Sequence, residues 1–582
     1  MGKLWAVCAS WALGCEFPVY AWALTGSVAV LAFAAAAVVA ATIAGLAAGA
    51  ITPAVAGGSL VCGVVVAWYA ARAFRPRAPE PDPPRIGIAG AAAGLLFLLL
   101  ALRQFLWLAT GDGDSVVQYN PYNYGDLPLH WTYVSVLAEG APFWPQNPIF
   151  ANVRLGYPIG SDLLAALFTS LSAETGVVFR MTGVVASLLL LLALWRWGGA
   201  LAVAAFALSG GFDLSRLEPG ALLRPDDPEL PWKNILLALF VPQRGFLFAL
   251  PAGLLLLWSA REKLLREKPG LPGAVFGLLW GALPLFHVHT FLVFSVVVGA
   301  WSVARQRVAA MRTSLLVAVP LATFGLWQVT DGFAAARVVW WKPGWMIGAE
   351  NPLLFLLENF GLLVPLAVVA LLRPLPDGKA ETRPQLAAGL ALFVALFFLM
   401  LAPWEWDNTK AFVWAVLLML GPLPAWLEAR PLALRTAIVT LLLLPGVPAA
   451  LGGFLASRPL VVFDRVEKEE VCAAIRSVPM TARVATAQAF DHPVGLCGRA
   501  IVAGYAGHLW SHGLRARPVE ERLARLMNGE PGWEEAALDL GASHVFWGRR
   551  EVRAFPGSRR PWARDGALVW KGGSGELYRL SE

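Results

Sequence analysis

Residues 124–140, YGDLPLHWTYVSVLAEG, place an aspartate and a histidine four positions apart at the start of a predicted helix. Because residues i and i+4 share one face of a helix, Asp126 and His130 are expected to lie side by side, flanked by Tyr133. Asp126 suits the N-cap of this helix, with Pro128 inside the first turn. A capping role is therefore the simplest interpretation of the carboxylate, and a reactive carboxylate is the alternative.

The rest of the chain is strongly apolar. Of its 582 residues, 58% are hydrophobic and 15% are charged, and the mean hydropathy is +0.61. Soluble domains carry about 25% charged residues, so the composition predicts an integral membrane protein with several spans. The net charge is +7, but the basic residues form short clusters between apolar runs, as positive-inside topology requires. Membrane lipids are the expected surroundings, and a nucleic-acid partner is not expected.

The apolar stretches predict about ten to thirteen membrane crossings. They are residues 20–45, 52–71, 86–109, 161–172, 177–195, 198–210, 234–258, 272–303, 313–329, 352–373, 386–403, 410–427 and 435–456. The basic clusters between them are assigned to the cytoplasm, at 72–85, 261–268, 304–312, 373–383 and 428–435. The remaining segments then face outward, at 110–160, 211–233, 330–351 and 403–409. We expect the first helix to be retained, because it has no clear signal-cleavage pattern.

The composition changes at about residue 457, where charge density becomes ordinary. The patterns predict a small α/β domain over 457–582, with helices at 468–476, 517–527 and 532–540 and strands at 482–489 and 543–548. Since a basic cluster and one further crossing precede it, this tail should lie outside the cytoplasm, with 1–456 forming the membrane domain.

The five cysteines do not form a disulfide framework, and none has zinc-site spacing. Cys8, Cys15 and Cys62 lie in or near the first helices and are expected to be small buried residues. Cys472 and Cys497 are the pair in the tail. An oxidising compartment permits a bridge between them, and the sequence leaves the bridged and free forms equally open.

Three further stretches carry polar residues on the predicted outward side. They are VPQRGFLFALP (241–251) with Gln243 and Arg244, PLFHVHTFLVF (284–294) with His287 and His289, and APWEWDNTKAFVW (402–414) with Asp407, Asn408 and Lys410. An arginine inside an apolar run is costly, which predicts a partner for it. The two histidines are expected at the outward turn of 272–303, because basic clusters flank both ends of that segment.

Each of these groups also has a simpler interpretation. Arg244 and Lys410 could extend to the membrane interface. The histidines could be satisfied at a helix turn, and Asp407 with Asn408 could cap the helix that follows. Their shared predicted side of the membrane favours a functional site.

The order of these motifs resembles the GT-C superfamily of multi-spanning glycosyltransferases that use polyprenyl-phosphate sugars. The resemblance rests on an acidic residue in the first large outward loop, a D-x-x-x-H helix, the Pro-rich turn FWPQNP and the entry YPIGSDLLAALF, where Tyr157-Pro158 stands for Lys-Pro-Pro. The later Gln-Arg, His-x-His and Asp-Asn-x-Lys motifs and the tail stretch VAGYAGHLWSHG (502–513) extend it over most of the chain. It implies an α-helical polytopic fold with Asp126 as the catalytic residue. Position 127 is Leu where the superfamily has a second acid, so Asp114 or Asp162 takes that role, or the role is not needed.

The resemblance also implies the chemistry of the site. A carboxylate takes a proton from the acceptor hydroxyl, and cations stabilise the leaving phosphate. The catalytic candidates are Asp126, His130, Asp114 and Asp162. The candidates for substrate and lipid-phosphate binding are Arg244, Gln243, His287, His289, Asp407, Asn408, Lys410 and Tyr157. The partners would be a polyprenyl-phosphate sugar and a glycan, lipid or protein acceptor, at the bacterial plasma membrane with the site outside the cytoplasm.

No cofactor is indicated, and a divalent metal is compatible with the pattern without being indicated by it. A transporter of lipid or solute is one alternative, although the sequence shows no inverted repeat. A non-catalytic subunit that keeps this fold is another, and the missing second acid leaves it open. The large loop and the outward tail favour an enzyme.

Overall fold

A computed structural model describes residues 16–74, 87–123, 125–212, 230–333, 339–348, 351–373, 381–564 and 567–580. Cys8, Cys15 and most of the basic cluster 72–85 lie outside these ranges, as do parts of the predicted segments 211–233, 330–351 and 373–383. The described chain is mostly helical, with its strands in the first large loop, in a short hairpin and in the tail. The predicted fold class is confirmed at this level.

Eight helical segments of the described chain are long and apolar enough to cross a membrane. They are Ala21–Ala48, Pro53–Ala73, Ile88–Leu106, Thr175–Ala207, Arg244–Leu265, Val308–Val329, Glu405–Glu428 and Leu432–Leu455. Pro352–Phe360 and Leu363–Leu372 form one further candidate, bent by 100°. Four shorter apolar helices are Gly160–Thr169, Gly273–Phe286, Val288–Ala304 and Thr382–Leu396. The predicted ten to thirteen crossings are reached only if these shorter helices also cross.

Two predicted breaks are present where the residue types favour them. The two stretches predicted at 177–195 and 198–210 form one candidate span, Thr175–Ala207. This helix kinks at Gly198 and Gly199, where the second stretch begins, and Gly199 takes a positive φ of 57° that suits glycine. The apolar segment 272–303 divides at His287, whose extended backbone separates Gly273–Phe286 from Val288–Ala304. We call this the histidine break.

Small residues allow the helices to approach closely. Gly277 and Gly281 face the helix Arg312–Val329, where an added Cβ would come within 2.6 Å of the carbonyl oxygen of Ser314 and within 2.9 Å of that of Ala318. Membrane helices pack through such small-residue faces because lipid supplies no hydrophobic drive between them. Larger residues at these glycines would separate the two helices.

The first large loop contains the helix Asp126–Ala138, which we call the loop helix. Before it, strand β1 (Thr110–Asp112) pairs with β2 (Ser115–Gln118). After it, the chain returns to the membrane at Gly160–Thr169, which we call the return helix. Later in the chain, β3 (Trp340–Trp341) pairs with β4 (Leu399–Met400) as a short antiparallel ladder.

The tail begins with strand β5 (Leu460–Asp464), which leaves the tail and pairs antiparallel with β2 of the loop. The tail's own sheet contains β6 (Arg483–Ala485), β7 (Ala500–Ile501), β8 (His544–Gly548), β9 (Leu568–Gly572) and β10 (Gly575–Arg579), in the order β7-β6-β8-β10-β9. β6 is parallel to β7 and β8, and the other pairs are antiparallel. Its helices are Arg465–Ala474, Pro493–Leu496, Ala506–Ser511, Arg517–Asn528, Trp533–Asp539 and Arg549–Ala554.

All five elements predicted for the tail are therefore present within a few residues of their predicted bounds. Cys472 and Cys497 form a disulfide, which resolves the alternative that the sequence left open. Cys62 is exposed in its helix and not buried as expected.

Backbone hydrogen bonds join the tail to the loop beyond the β2–β5 pair. The amide of Ala151 donates to the carbonyl of Val502 at 2.9 Å, and the amide of Gly504 donates to that of Ile149 at 2.8 Å. The Arg483 guanidinium reaches the carbonyl of Asn147 at 3.2 Å. These bonds fix the start of the segment 502–513 beside residues 147–151 of the loop.

Candidate functional site

Asp126 is the first residue of the loop helix. The N-cap is Gly125, without a side-chain capping bond, so the predicted capping role of Asp126 is wrong by one position. Its carboxylate is partly exposed and has no hydrogen-bond partner among the described residues. A carboxylate at this end of a helix is still favoured by the helix dipole. Asp126 is therefore left available at the surface of the site.

His130, one turn later, is held by a second carboxylate. Its Nδ1 lies 2.9 Å from Oδ2 of Asp162, and the Nε of Arg244 donates to the other oxygen of Asp162 at 3.2 Å. All three residues are at most 3% exposed. Three elements meet here, since Asp162 is on the return helix and Arg244 begins the helix Arg244–Ala260.

Arg244 has further partners within the protein. Its guanidinium donates to the hydroxyl of Thr182 at 3.4 Å and lies over the ring of Phe179, 3.8 Å from the centroid. The sequence predicted that this arginine has a partner, and in the structure that partner is Asp162. Gln243, immediately before it, is half-buried at the N-cap of the same helix without a side-chain capping bond.

Asp407 and Lys410 form an ion pair of 2.9 Å at the start of the helix that leads into the membrane. The pair is largely buried, with 17% and 11% of the two side chains exposed. Asn408, between them, stabilises the local backbone. Its side-chain amide donates to the carbonyl of Leu399, and its side-chain oxygen accepts the backbone N–H of Leu401. Asn408 is the N-cap residue of Thr409–Leu420, but its side chain makes no capping bond.

The tail brings two histidines to this group that the sequence analysis did not assign to the site. The ring of His512 lies 5.0 Å from that of Tyr157, and Tyr157 lies 5.5 Å from Tyr133. A Cβ added to Gly125 would lie 3.4 Å from Nε2 of His508. Both histidines occur in the stretch 502–513, so the motif was the available signal, but nothing in the sequence connects it to residue 126.

These tail histidines are neutral at physiological pH. Burial, followed by the neighbouring His512 and His130, lowers the pKa of His508 to about 3. Burial is also the main reason that the pKa of His512 is about 4, where the attraction of Asp407 is opposed by Lys410 and His130. Burial raises the pKa of the Tyr157 phenol well above its usual value, so this hydroxyl remains protonated.

Asp126 is the carboxylate without a cationic partner in this group. Burial raises its pKa to about 6, against the opposing effects of His130 and Lys410, while Asp407 raises it further. The other two carboxylates of the described site are each within 3.2 Å of a cation, Asp162 beside Arg244 and Asp407 beside Lys410. Among the three carboxylates of the described site, Asp126 is thus the one without a cation at ion-pair distance.

Asp114 is not brought to this group. It lies exposed in the turn between β1 and β2, where its carbonyl accepts the amide of Arg465. It lines an open cavity of about 650 Å³ together with tail residues such as Glu467 and Glu470. His287 and His289 lie closer to this group, within electrostatic range of Lys410.

No group of three or more His, Cys, Asp or Glu side chains in the described part of the chain is arranged to hold a metal ion. The other carboxylates of this group are paired with cations, Asp162 with Arg244 and Asp407 with Lys410. The prediction on metals is not tested by this arrangement.

No family model and no curated protein matches this chain. Solved structures of the Archaeoglobus fulgidus oligosaccharyltransferase are similar in fold. The form tethered to an acceptor peptide has a TM-score of 0.43 and 13% identity, covering 79% of this chain and 68% of that one. The apo form has a TM-score of 0.35, with 79% and 69% covered at 13% identity. The form with an inhibitory peptide and a dolichol-phosphate has a TM-score of 0.34, with the same coverage at 12% identity.

At this level of similarity, the chemistry of the chain has to be inferred from the residues of its own site.

Proposed function

We propose that the protein is a membrane glycosyltransferase that moves a sugar from a polyprenyl-phosphate donor to an extracytoplasmic acceptor, with Asp126 as the base. The observation that carries the proposal is the unpaired state of this carboxylate beside two carboxylates that are paired with cations. A pKa of about 6 leaves Asp126 ionised at neutral pH, yet closer to neutrality than an ordinary carboxylate. That is the condition in which a general base works best.

The transfer balances as a single displacement. Asp126 takes the proton of an acceptor hydroxyl, the hydroxyl oxygen forms a bond to the anomeric carbon, and the bond from that carbon to the phosphate oxygen breaks. The electron pair leaves with the polyprenyl phosphate, and the configuration of the sugar is inverted. A positioned base contributes about 10²–10⁴-fold to such a rate.

Lys410 is the proposed cation for the departing phosphate. Its ammonium lies within electrostatic range of Asp126 and near the surface of the predicted span, where a lipid phosphate would lie. Fixed positive charge near a developing anion lowers the barrier without reorganisation. Arg244 is proposed to act on the donor phosphate less directly, because it is more deeply buried and is held by Thr182 and Phe179 as well as by Asp162. His130 is oriented by the same carboxylate.

The orientation of the site is also a proposal. The Cys472–Cys497 disulfide favours an oxidising compartment for the tail, and the basic clusters favour a cytoplasmic location for the opposite face. Both support a site on the outer side of a bacterial plasma membrane. The acceptor is then a glycan, lipid or protein of the cell envelope.

The test is transfer from a panel of labelled polyprenyl-phosphate sugars to cell-envelope acceptors, with purified protein in lipid nanodiscs. Asp126→Asn should reduce transfer by at least about 10²-fold while donor binding persists. Asp112→Asn, in β1 of the same loop, is the matched control and should transfer normally. Normal transfer by Asp126→Asn would refute its role as base, and loss in Asp114→Asn or Asp162→Asn alone would move that role there. Donor binding without transfer by any acceptor would favour the transporter or the non-catalytic subunit.

A further inference from the structure

The histidine break presents two ring nitrogens that have no partner within the described residues. Nε2 of His287 and Nε2 of His289 are both buried without a hydrogen bond, and His287 is 5% exposed. An unpaired buried polar group costs about 1–3 kcal/mol. In a native structure such a group requires an explanation, of which a bound ligand is one.

The other nitrogen of His287 determines the state of its ring. Nδ1 accepts the backbone N–H of Thr290 at 3.2 Å and lies 2.9 Å from the hydroxyl of the same residue. The indole N–H of Trp414 donates to that hydroxyl at 3.2 Å. Because Nδ1 accepts an N–H, the proton of the neutral ring must be on Nε2. Trp414 and Thr290 thus fix His287 as an uncharged Nε2–H donor.

Packing holds this donor in place. The ring of Phe246 lies against the imidazole with 4.1 Å between centroids. Gly245 allows the helix to approach, since a Cβ there would lie 2.3 Å from the carbonyl oxygen of Phe286. Lys410 is within electrostatic range of His287. A fixed N–H donor therefore lies within electrostatic range of a cation.

We infer, building on the proposed function, that His287 donates its Nε2–H to an oxygen of the donor's phosphate, with Thr290 and Trp414 as positioning residues. Lys410 places a positive charge near that phosphate, and the fixed N–H of His287 orients the phosphate oxygen that it binds. A preorganised neutral donor stabilises the anion as the sugar leaves and costs no proton transfer of its own. Phosphate binding through His287 is then insensitive to pH, whereas an imidazolium would lose its charge as pH rises through about 6.5.

The experiment measures binding of polyprenyl monophosphate to the full-length protein in nanodiscs, with a polyprenol of equal length as the ligand without phosphate. His287→Asn, which removes the group at Nε2, should weaken phosphate-lipid binding about tenfold, as expected for a hydrogen bond to a charged group. His287→Gln places an amide N–H near the same position and should restore most of the affinity. His544→Asn is the matched control, because Nε2 of His544 is also buried and unpaired but lies in the tail sheet.

The positioning residues are tested by spectroscopy. Nitrogen NMR of isotope-labelled histidine, as a difference between wild type and His287→Asn, should show the Nε2–H form from about pH 5.5 to 8. Thr290→Val and Trp414→Phe keep the packing volume but should mix the two ring forms and weaken phosphate binding, and Thr290→Ser should restore both. Wild-type binding that is retained by His287→Asn, or a ring proton on Nδ1, would overturn the inference and leave Asp126 untouched. Equal binding of the phosphate lipid and the polyprenol by wild type would overturn the proposed donor as well.

Discussion

The imidazole of His512 lies against the phenol of Tyr157, with 5.0 Å between their ring centroids. Tyr157 belongs to the loop between the loop helix and the return helix, whereas His512 belongs to the tail. One wall of the site is therefore supplied by the tail. Removal or displacement of the tail would open the space around Asp126 to water.

Acid should loosen this tail contact. The pKa values of His508 and His512 are about 3 and about 4, below the ordinary 6.5, because docking buries both rings. A free tail takes up protons below its unperturbed value and the docked tail does not, so docking is fully stable above about pH 6.5 and weakens as pH falls toward 4. Limited proteolysis of the full-length protein between about pH 7.5 and 5 should cut the tail progressively faster. In His508→Phe/His512→Phe, which keeps two aromatic rings, the cutting rate should no longer depend on pH in this window.

Asp126→Asn should stabilise the fold at neutral pH. The folded-state pKa of about 6 is above the ordinary 3.8, so the folded protein binds a proton that the unfolded chain has released. The contribution of this group is therefore most favourable below about pH 4 and is lost as pH rises through 6. The amide should raise stability by about 1–3 kcal/mol at pH 7.5 and by much less at pH 4.5. Thermal unfolding of both proteins in nanodiscs at the two pH values measures this difference in stability. An equal increase in stability at both pH values would mean that burial of the charge is not the cause.

Transfer by the wild-type protein should increase with pH through about 6, because only ionised Asp126 accepts the acceptor proton. The rate at saturating donor and acceptor, measured against pH, should show one ascending step there. Lys410→Arg keeps a positive charge beside Asp126 and should leave the step nearly in place, whereas Lys410→Met should move it to higher pH. A rate independent of pH across this range would argue against a carboxylate base.

Arg244 and Asp162 should behave as one unit in stability. Removing one partner of a buried ion pair typically costs about 3–5 kcal/mol, because the remaining charge is uncompensated. Arg244→Met and Asp162→Asn should each destabilise the protein by that order, and the double variant by clearly less than the sum. Unfolding of the wild type, the two single variants and the double variant in denaturing detergent gives the four free energies of this double-mutant cycle. Additive costs would show that the arginine and the aspartate do not depend on each other.

Protease added to intact spheroplasts should cut the tail if the proposed orientation holds, since the disulfide and the basic clusters both favour a tail outside the cytoplasm. Cys472→Ser/Cys497→Ser should be cut faster, because a bridge across 25 residues contributes about 3 kcal/mol to stability. Cutting in inside-out vesicles alone would invert the topology and the location of the site with it.

The sequence was sufficient wherever one segment determines its own structure. The apolar runs, the kink at Gly198, the histidine break and the tail elements all follow from local periodicity and residue type. Asp126 and His130 are related by helix geometry alone, so their shared face was predictable. The error of one residue at Gly125 is of the usual size for a helix boundary.

The site could be predicted only in part, because its charges are paired between distant segments. Arg244 and Asp162 were both recognised as unusual, but a one-dimensional pattern does not show that each is the other's partner. Nothing in the sequence marks His508 and His512 as site residues, because they reach the site only through the packing of the tail against the loop. The direction of the His287 proton depends on Trp414, which lies 124 residues beyond Thr290 in the chain.

The pairing of β2 with β5 has a consequence for biosynthesis. Arg465, directly after β5, bonds to the loop at Gly113, 352 residues earlier in the chain. The loop therefore leaves the ribosome and the insertion machinery long before its third strand exists. A nascent chain halted before the tail would present Asp126 without the wall that His512 supplies. The site is therefore completed only when the last part of the chain has been synthesised.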